Sequence, residues 1–284
     1  MKLFRHGRWG EEKPGLLIND EHIDVSKFGE DYDEHFLETN GIKRLKKWFA
    51  NHHGHIKLKA IKRFGPPIKR PSKIICIGLN YSDHAKETNA KLPQEPIIFF
   101  KSTTAICGPN DNVIIPRNSK KTDWEVELAV VIGKKASYIE EKDAEGYIAG
   151  YMLHNDYSER EFQIERGGQW VKGKSCDTFA PIGPYLVTRD EITNIDNLRL
   201  WLTVNGKTMQ DGNSSNLIFK IPFLIHYISQ FMTLLPGDII STGTPAGVGL
   251  GQKPEPFYLK AGDVVELGID GLGSAKQTLV NLSK

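Results

Sequence analysis

From Lys73 to the carboxyl end the chain is a succession of short apolar or alternating runs: "KIICIGL", "PIIFF", "NVIIP", "EVELAVVIG", "YIAGYML", "LRLWLTV" and "GDVVELGI". Each is bounded by Gly, Pro, Asn or Asp, the punctuation expected of strands. "VNGK" at 204–207 adds an Asn-Gly hairpin signal. Helices are fewer. The clearest is "KIPFLIHYISQFMTL", with Pro222 suited to a first turn and Ile225, Ile228 and Phe231 or Met232 as its buried stripe. The pattern specifies a predominantly β, α+β body, without internal repeats.

Residues 1–70 read differently. Short strand-like pieces precede "GIKRLKKWFANHHG", where Ile42, Leu45, Trp48 and Phe49 recur at helical spacing and Gly54 is placed to end the helix. The stretch "RFGPPIKRPSK" breaks any regular element. It divides the chain into a small amino-terminal domain, 1–70, and a catalytic domain, 71–284. His52, His53 and His55 lie beyond the helix end, where such a cluster is more often surface than metal site.

Charge and cysteine usage narrow the partners. With 37 basic and 35 acidic residues, a net charge of +2 gives no electrostatic case for nucleic acid or anionic lipid. Cys76, Cys107 and Cys176 are odd in number and widely spaced, which argues against a disulfide framework and fits a reducing cytoplasm. No apolar run is long enough for a signal core or a bilayer span. Small molecules are the expected partners.

The chemistry begins at "TDWEVELAVVIG". In a strand Glu125 and Glu127 share one face, close enough to repel. Asp123, Glu125 and Glu127 as the wet side of a sheet is the bland alternative, but "LAVVIG" looks buried on both faces, and buried like charges need a cation. Asp156, in "YMLHNDYSEREFQ", follows another apolar strand and is delivered to its rim. Three oxygen ligands without cysteine suit a hard divalent ion, Mg²⁺ or Mn²⁺. If the segment after Asp156 is helical, Arg160 and Gln163 share its face. Arg160 would then either grip a substrate carboxylate or pair with a surface Glu.

Two further stretches carry candidates. In "GLNYSDHAKE", Ser82 can cap a short helix carrying His84 and Glu87 at i and i+3, an arrangement that suits a His taking a proton from water. An exposed helix with an ordinary His-Glu contact is the alternative. "WVKGKSCDTFAPIGP" sets Lys174 in a Gly-flanked loop, either to stabilise an enolate or carboxylate or simply to be solvated. "STGTPAGVGLG" offers backbone amides and the Thr244 hydroxyl to an anion, or is a turn between strands. It is neither a P-loop nor a dinucleotide fingerprint.

"GLNYSDHAKE", "FFKSTTAICGPND", "TDWEVELAVVIG", "GYMLHNDYSEREFQ", "KGKSCDTFAPIGP" and "PGDIISTGTPAGVG" occur in the order typical of the fumarylacetoacetate hydrolase family, which the chain resembles from about residue 72 onward. The resemblance implies that family's mixed β-sandwich or rolled β-barrel, usually a homodimer. It makes Glu125, Glu127 and Asp156 ligands of Mg²⁺ or Mn²⁺, His84 and Glu87 the water-activating dyad, and Lys174 a catalytic lysine beside the substrate. Tyr81, Arg160, Gln163 and Thr244 become substrate-binding residues. The implied reaction is hydrolysis of a C–C bond in a 2,4-dioxo acid, an acylpyruvate or a 2,4-diketo-3-deoxy sugar acid. Oxaloacetate decarboxylation, hydroxyheptadienedioate isomerisation and a dead site in a regulatory protein are the alternatives. The segment 82–92 is expected to close over bound ligand.

Overall fold

The structure, a computed structural model, describes residues 1–87 and 91–282. Its core element is the strand Val126–Ile132, whose seven residues are all buried, as the unbroken apolar run requires. One flank pairs antiparallel with Ile148–Asn155 and the other with Ile239–Ser241. Ile239–Ser241 then runs parallel to Ile74–Gly78, which pairs with the edge strand Ile97–Lys101.

On the other side the sheet continues through Leu186–Thr188 to Lys2–His6, Lys13–Ile18, Glu21–Asp24 and Ile56–Lys57. Hydrogen bonding therefore passes without a break from the first 70 residues into the rest. A second sheet, of Lys207–Asn213, Arg199–Val204, Val264–Ile269, Gly273–Asn281 and Val113–Ile115, packs against the first. The fold is α+β and predominantly β. No helix among the described residues is long and apolar enough to cross a membrane.

Local readings fare unevenly. Asn205 and Gly206 both take positive φ at the hairpin between Val204 and Lys207. The helix Ile221–Ser229 has Pro222 in its first turn and buries Ile221, Leu224, Ile225 and Ile228. It stops before Phe231, which is 64% exposed, so Met232 alone of the two alternatives packs on the core. The amino-terminal helix Gly41–Asn51 also ends early, at an extended His52 rather than at Gly54. There His52 stacks on Trp48 and His55 on Phe49, the surface arrangement. Of the segment expected to close, the helix Ser82–Glu87 is formed, and residues 88–90 lie outside the described residues.

Candidate active site

Register brings the acids together. Val126 pairs with Asn155 and Glu127 with His154, and the ladder extends one step further as Asp156 N donates to Glu125 O at 2.9 Å. Asp156 therefore lies across the strand pair from Glu125 and Glu127. One carboxylate oxygen from each of the three lies within 4.8 Å of the others, the only such group among the described residues. All three are buried.

The surrounding charges do not balance. Lys174 Nζ lies 2.7 Å from Glu125 Oε2 and 2.8 Å from Asp156 Oδ2. Lys101 Nζ donates to the other oxygen of Asp156 and, at 3.0 Å, to Tyr157 O. Arg160 Nη2 pairs with Asp123 and Glu125, both at 2.7 Å. Asp123, Glu125, Glu127 and Asp156 are thus four buried carboxylates against three cations, and no ammonium or guanidinium among the described residues reaches Glu127.

Protonation follows from that imbalance. Burial works to raise the Glu125 carboxyl, but Lys174 and Arg160 hold it below the usual range; against the same penalty, Lys101 and Lys174 do so for Asp156. Burial, followed by the charges of Asp156 and Glu125, pushes Glu127 well up. A divalent cation would neutralise that uncompensated carboxylate, so the donor set fits a hard metal ion.

Glu125 and Glu127 open into a cavity of about 250 Å³, just below the usual range of ligand pockets, lined also by His84, Arg160, Gln163, Lys174 and Thr244. Helix Ser82–Glu87 follows the buried strand Ile74–Gly78 and carries His84, whose Nδ1 is 3.1 Å from Glu87 Oε2. A carboxylate only accepts, so Nδ1 bears a proton, and in the neutral ring Nε2 carries the lone pair. Ser82 is the first helical residue rather than the cap, since Ala85 N bonds to Tyr81 O.

Three expectations change in detail. The chain after Asp156 is extended over Ser158–Glu159 and only then enters a π-helical turn, Glu161–Glu165; Arg160 still meets Gln163, Nη1 to Oε1 at 3.0 Å. Lys174 ends a short helix, Val171–Lys174, not a loop. Gly173 is needed there because a Cβ would lie 2.4 Å from Glu159 O and 2.6 Å from Gln163 N, so the close approach is to this chain's own backbone. Tyr81 is fully buried, its hydroxyl has no hydrogen-bond partner among the described residues, and it is not part of the cavity lining.

The glycine-rich loop does cradle anions, but they are the protein's own. Gly243 N donates to Glu127 at 3.0 Å, Gly247 N to Glu87 at 2.9 Å, and Gly249 N and Leu250 N to Asp123 at 2.6 and 3.0 Å. Thr244 bonds Val126 O and accepts from Gln210 while lining the cavity.

Sequence reasoning missed Lys101 as a partner of Asp156, Asp123 as the hub holding Arg160, and a relay behind Glu127. In that relay Ser241 donates to Glu127 and His154 Nδ1 to Ser241 at 2.6 Å. Burial draws His154 down to about 3, which keeps it neutral. The third acid of the "TDWEVE" alternation was the available signal for Asp123.

Comparison with known proteins shows the family. The family described as Fumarylacetoacetate (FAA) hydrolase C-terminal matches residues 73–280. A Burkholderia multivorans protein, named provisionally and only as a hydrolase, is 52% identical over 279 residues, 98% of each chain. The fumarylacetoacetate hydrolase of psychrophilic Exiguobacterium antarcticum aligns at a TM-score of 0.87 and 30% identity over 99% of this chain and 100% of that one. Maleylpyruvate hydrolase of Sphingobium sp. SYK-6, crystallised with manganese(II) and pyruvate, aligns at 0.82 and 28% identity over 100% of both. The matched region holds the acid cluster, the His84–Glu87 pair and Lys174, and the chain belongs to the fumarylacetoacetate hydrolase family.

Proposed function

We propose that this protein is a Mg²⁺- or Mn²⁺-dependent hydrolase that cleaves the C3–C4 bond of a 2,4-dioxo acid, R–CO–CH₂–CO–COO⁻, with water, giving R–COOH and pyruvate. The observation that carries the reading is one small cavity lined by Glu125 and Glu127 of the buried carboxylate cluster and by His84 of the His-Glu pair. A divalent ion held by Glu125, Glu127 and Asp156 would supply Lewis acidity toward the 1-carboxylate and 2-oxo group.

The chain's own groups do the rest. With Nδ1 fixed by Glu87, His84 Nε2 takes a proton from water as that water adds to C4. Lys174 brings an ammonium to the side where the 2-oxo oxygen gains negative charge as the C–C bond breaks. Gln163 Oε1 accepts from Arg160, so its amide NH₂ is the end that serves a substrate carboxylate.

The test is pyruvate release from acylpyruvates and from oxaloacetate, with Mg²⁺ and with Mn²⁺, for the wild type and His84→Ala. Cleavage of the dioxo acids that falls roughly 10²- to 10⁴-fold in the variant supports the hydrolase. Turnover of oxaloacetate alone, or a variant as fast as the wild type, overturns it.

A further inference from the structure

The cavity is chemically divided. Its acids, His84, Arg160, Gln163, Lys174 and Thr244 account for the polar lining; the remainder is Leu79, Ile97, Phe99, Ile164, Trp170 and Leu250 with the strand end at Ile77 and Gly78. The polar end is deep, with Glu127 1% and Lys174 2% exposed, whereas Ile97 and Ile164 are 38% and 49% exposed. Ile97 and Ile164 therefore lie at the mouth. Phe99 joins the two ends, its ring 5.1 Å from Lys174 Nζ and edge-on to Trp170 at 5.3 Å.

Trp170 is fitted to this place. Its ring edge rests on Gly78, where a Cβ would stand 2.6 Å from Trp170 Cζ3. Gly78 ends the strand Ile74–Gly78 and has no positive φ, so the missing side chain makes room for the indole and not for an unusual backbone. Trp170 O also accepts from Lys174 N at 3.1 Å, which ties this wall to the lysine at the polar end.

Resting on the hydrolase reading, we infer that Trp170, seated on Gly78, is the specificity-determining wall of the site, and that it selects dioxo acids whose chain beyond C4 is short and apolar over those whose chain is hydroxylated. With the oxo-acid end of the substrate at the carboxylates, the carbons beyond C4 lie among Phe99, Trp170, Ile97 and Ile164. Hydroxyl groups brought there exchange part of their hydration for walls whose one side-chain hydrogen-bonding group is the Trp170 indole N–H, a donor that leaves the hydroxyls' own protons without an acceptor.

A matched pair of equal carbon number tests this: 2,4-dioxohexanoate against 5,6-dihydroxy-2,4-dioxohexanoate, assayed by pyruvate release with Mg²⁺. A preference in kcat/KM of roughly 10- to 100-fold for the unsubstituted chain is expected, the range over which an apolar pocket rejects an added hydroxyl. Trp170→Phe keeps that preference and Trp170→Ala brings it below about threefold, with the inhibition constant of oxalate as the check that the polar end is intact. Gly78→Ala, which drives the indole into the cavity, lowers kcat/KM for 2,4-dioxooctanoate more than for 2,4-dioxohexanoate. Equal or reversed preference in the wild type overturns the inference and leaves the hydrolase standing. A preference unchanged in Trp170→Ala, or no difference between chain lengths in Gly78→Ala, removes Trp170 from the role. Absence of pyruvate from both substrates overturns the hydrolase reading itself.

Discussion

Asp123→Asn is the most informative single change outside the groups that would touch substrate. Asp123 is fully buried, and its two oxygens accept from Trp124 N at 2.8 Å, Gly249 N at 2.6 Å, Leu250 N at 3.0 Å and Arg160 Nε at 2.7 Å. Every partner is a donor. The amide puts an NH₂ where an oxygen was, so whichever way it turns it faces at least two donors and must forfeit their bonds. It also leaves the buried Arg160 with Glu125 as its only carboxylate. Breaking a buried ion pair from one side costs about 3–5 kcal/mol, a large part of a total stability of about 5–15 kcal/mol. The matching fall in Tm is roughly 6–20 °C. Function should suffer too, because Gly247 of the same loop holds Glu87 and Arg160 is drawn further onto Glu125. Urea unfolding of Asp123→Asn, Arg160→Gln and the double variant closes a cycle, in which a coupling energy of about 2–3 kcal/mol is expected. A single variant within about 1 kcal/mol of the wild type, with metal affinity unchanged by calorimetry, would refute the hub.

Three further perturbations separate the parts of the site. Glu127→Gln lowers Mg²⁺ or Mn²⁺ affinity by roughly 100-fold or more while the fold stays intact, since the amide oxygen still accepts from Ser241 and Gly243; full occupancy by titration calorimetry counts against the ligand set. Lys101→Met leaves Asp156 with Lys174 alone and costs about 3 kcal/mol, the low end for a broken buried pair. Scanning calorimetry should then show a larger gain in Tm on adding Mn²⁺ than the wild type shows, and an unchanged Tm in the metal-free variant would contradict this. Away from the site, burial holds His6 below the ordinary imidazole range despite Asp24, and burial with the nearby His6 does the same for His22. The folded chain then binds fewer protons than the unfolded one, so the stability contribution is whole above about pH 6.5 and declines as pH falls toward the lowered values. His22→Gln should flatten the loss of Tm between pH 7.5 and 5.5, and an unchanged slope would remove this cluster as its source.

What could be read in the sequence was what is encoded locally. Strand runs, the Asn205-Gly206 turn and the helix begun by Pro222 each depend on residues within a few positions of one another, and the structure contains all three. The helix end was misjudged because periodicity alone cannot tell Phe231 from Met232 once the next element has turned the chain. The site is mostly non-local. Lys101 reaches Asp156 across 55 positions and Arg160 reaches Asp123 across 37, pairings fixed by strand order that no local pattern reports. The glycine-rich loop shows the limit most clearly. Composition left an anion cradle and a plain turn as alternatives, and the amides of Gly243, Gly247, Gly249 and Leu250 do bind anions. Which anion they bind depends on register: that of Val126–Ile132 against its neighbours carries Glu127 to the loop, and the pairing of Thr122–Asp123 with Ser158–Glu159 places Asp123. Because the loop bonds Glu87 as well, one segment fixes the position of the His84–Glu87 pair relative to the carboxylate cluster. A lengthened or shortened loop should therefore impair both together, even where it touches no substrate.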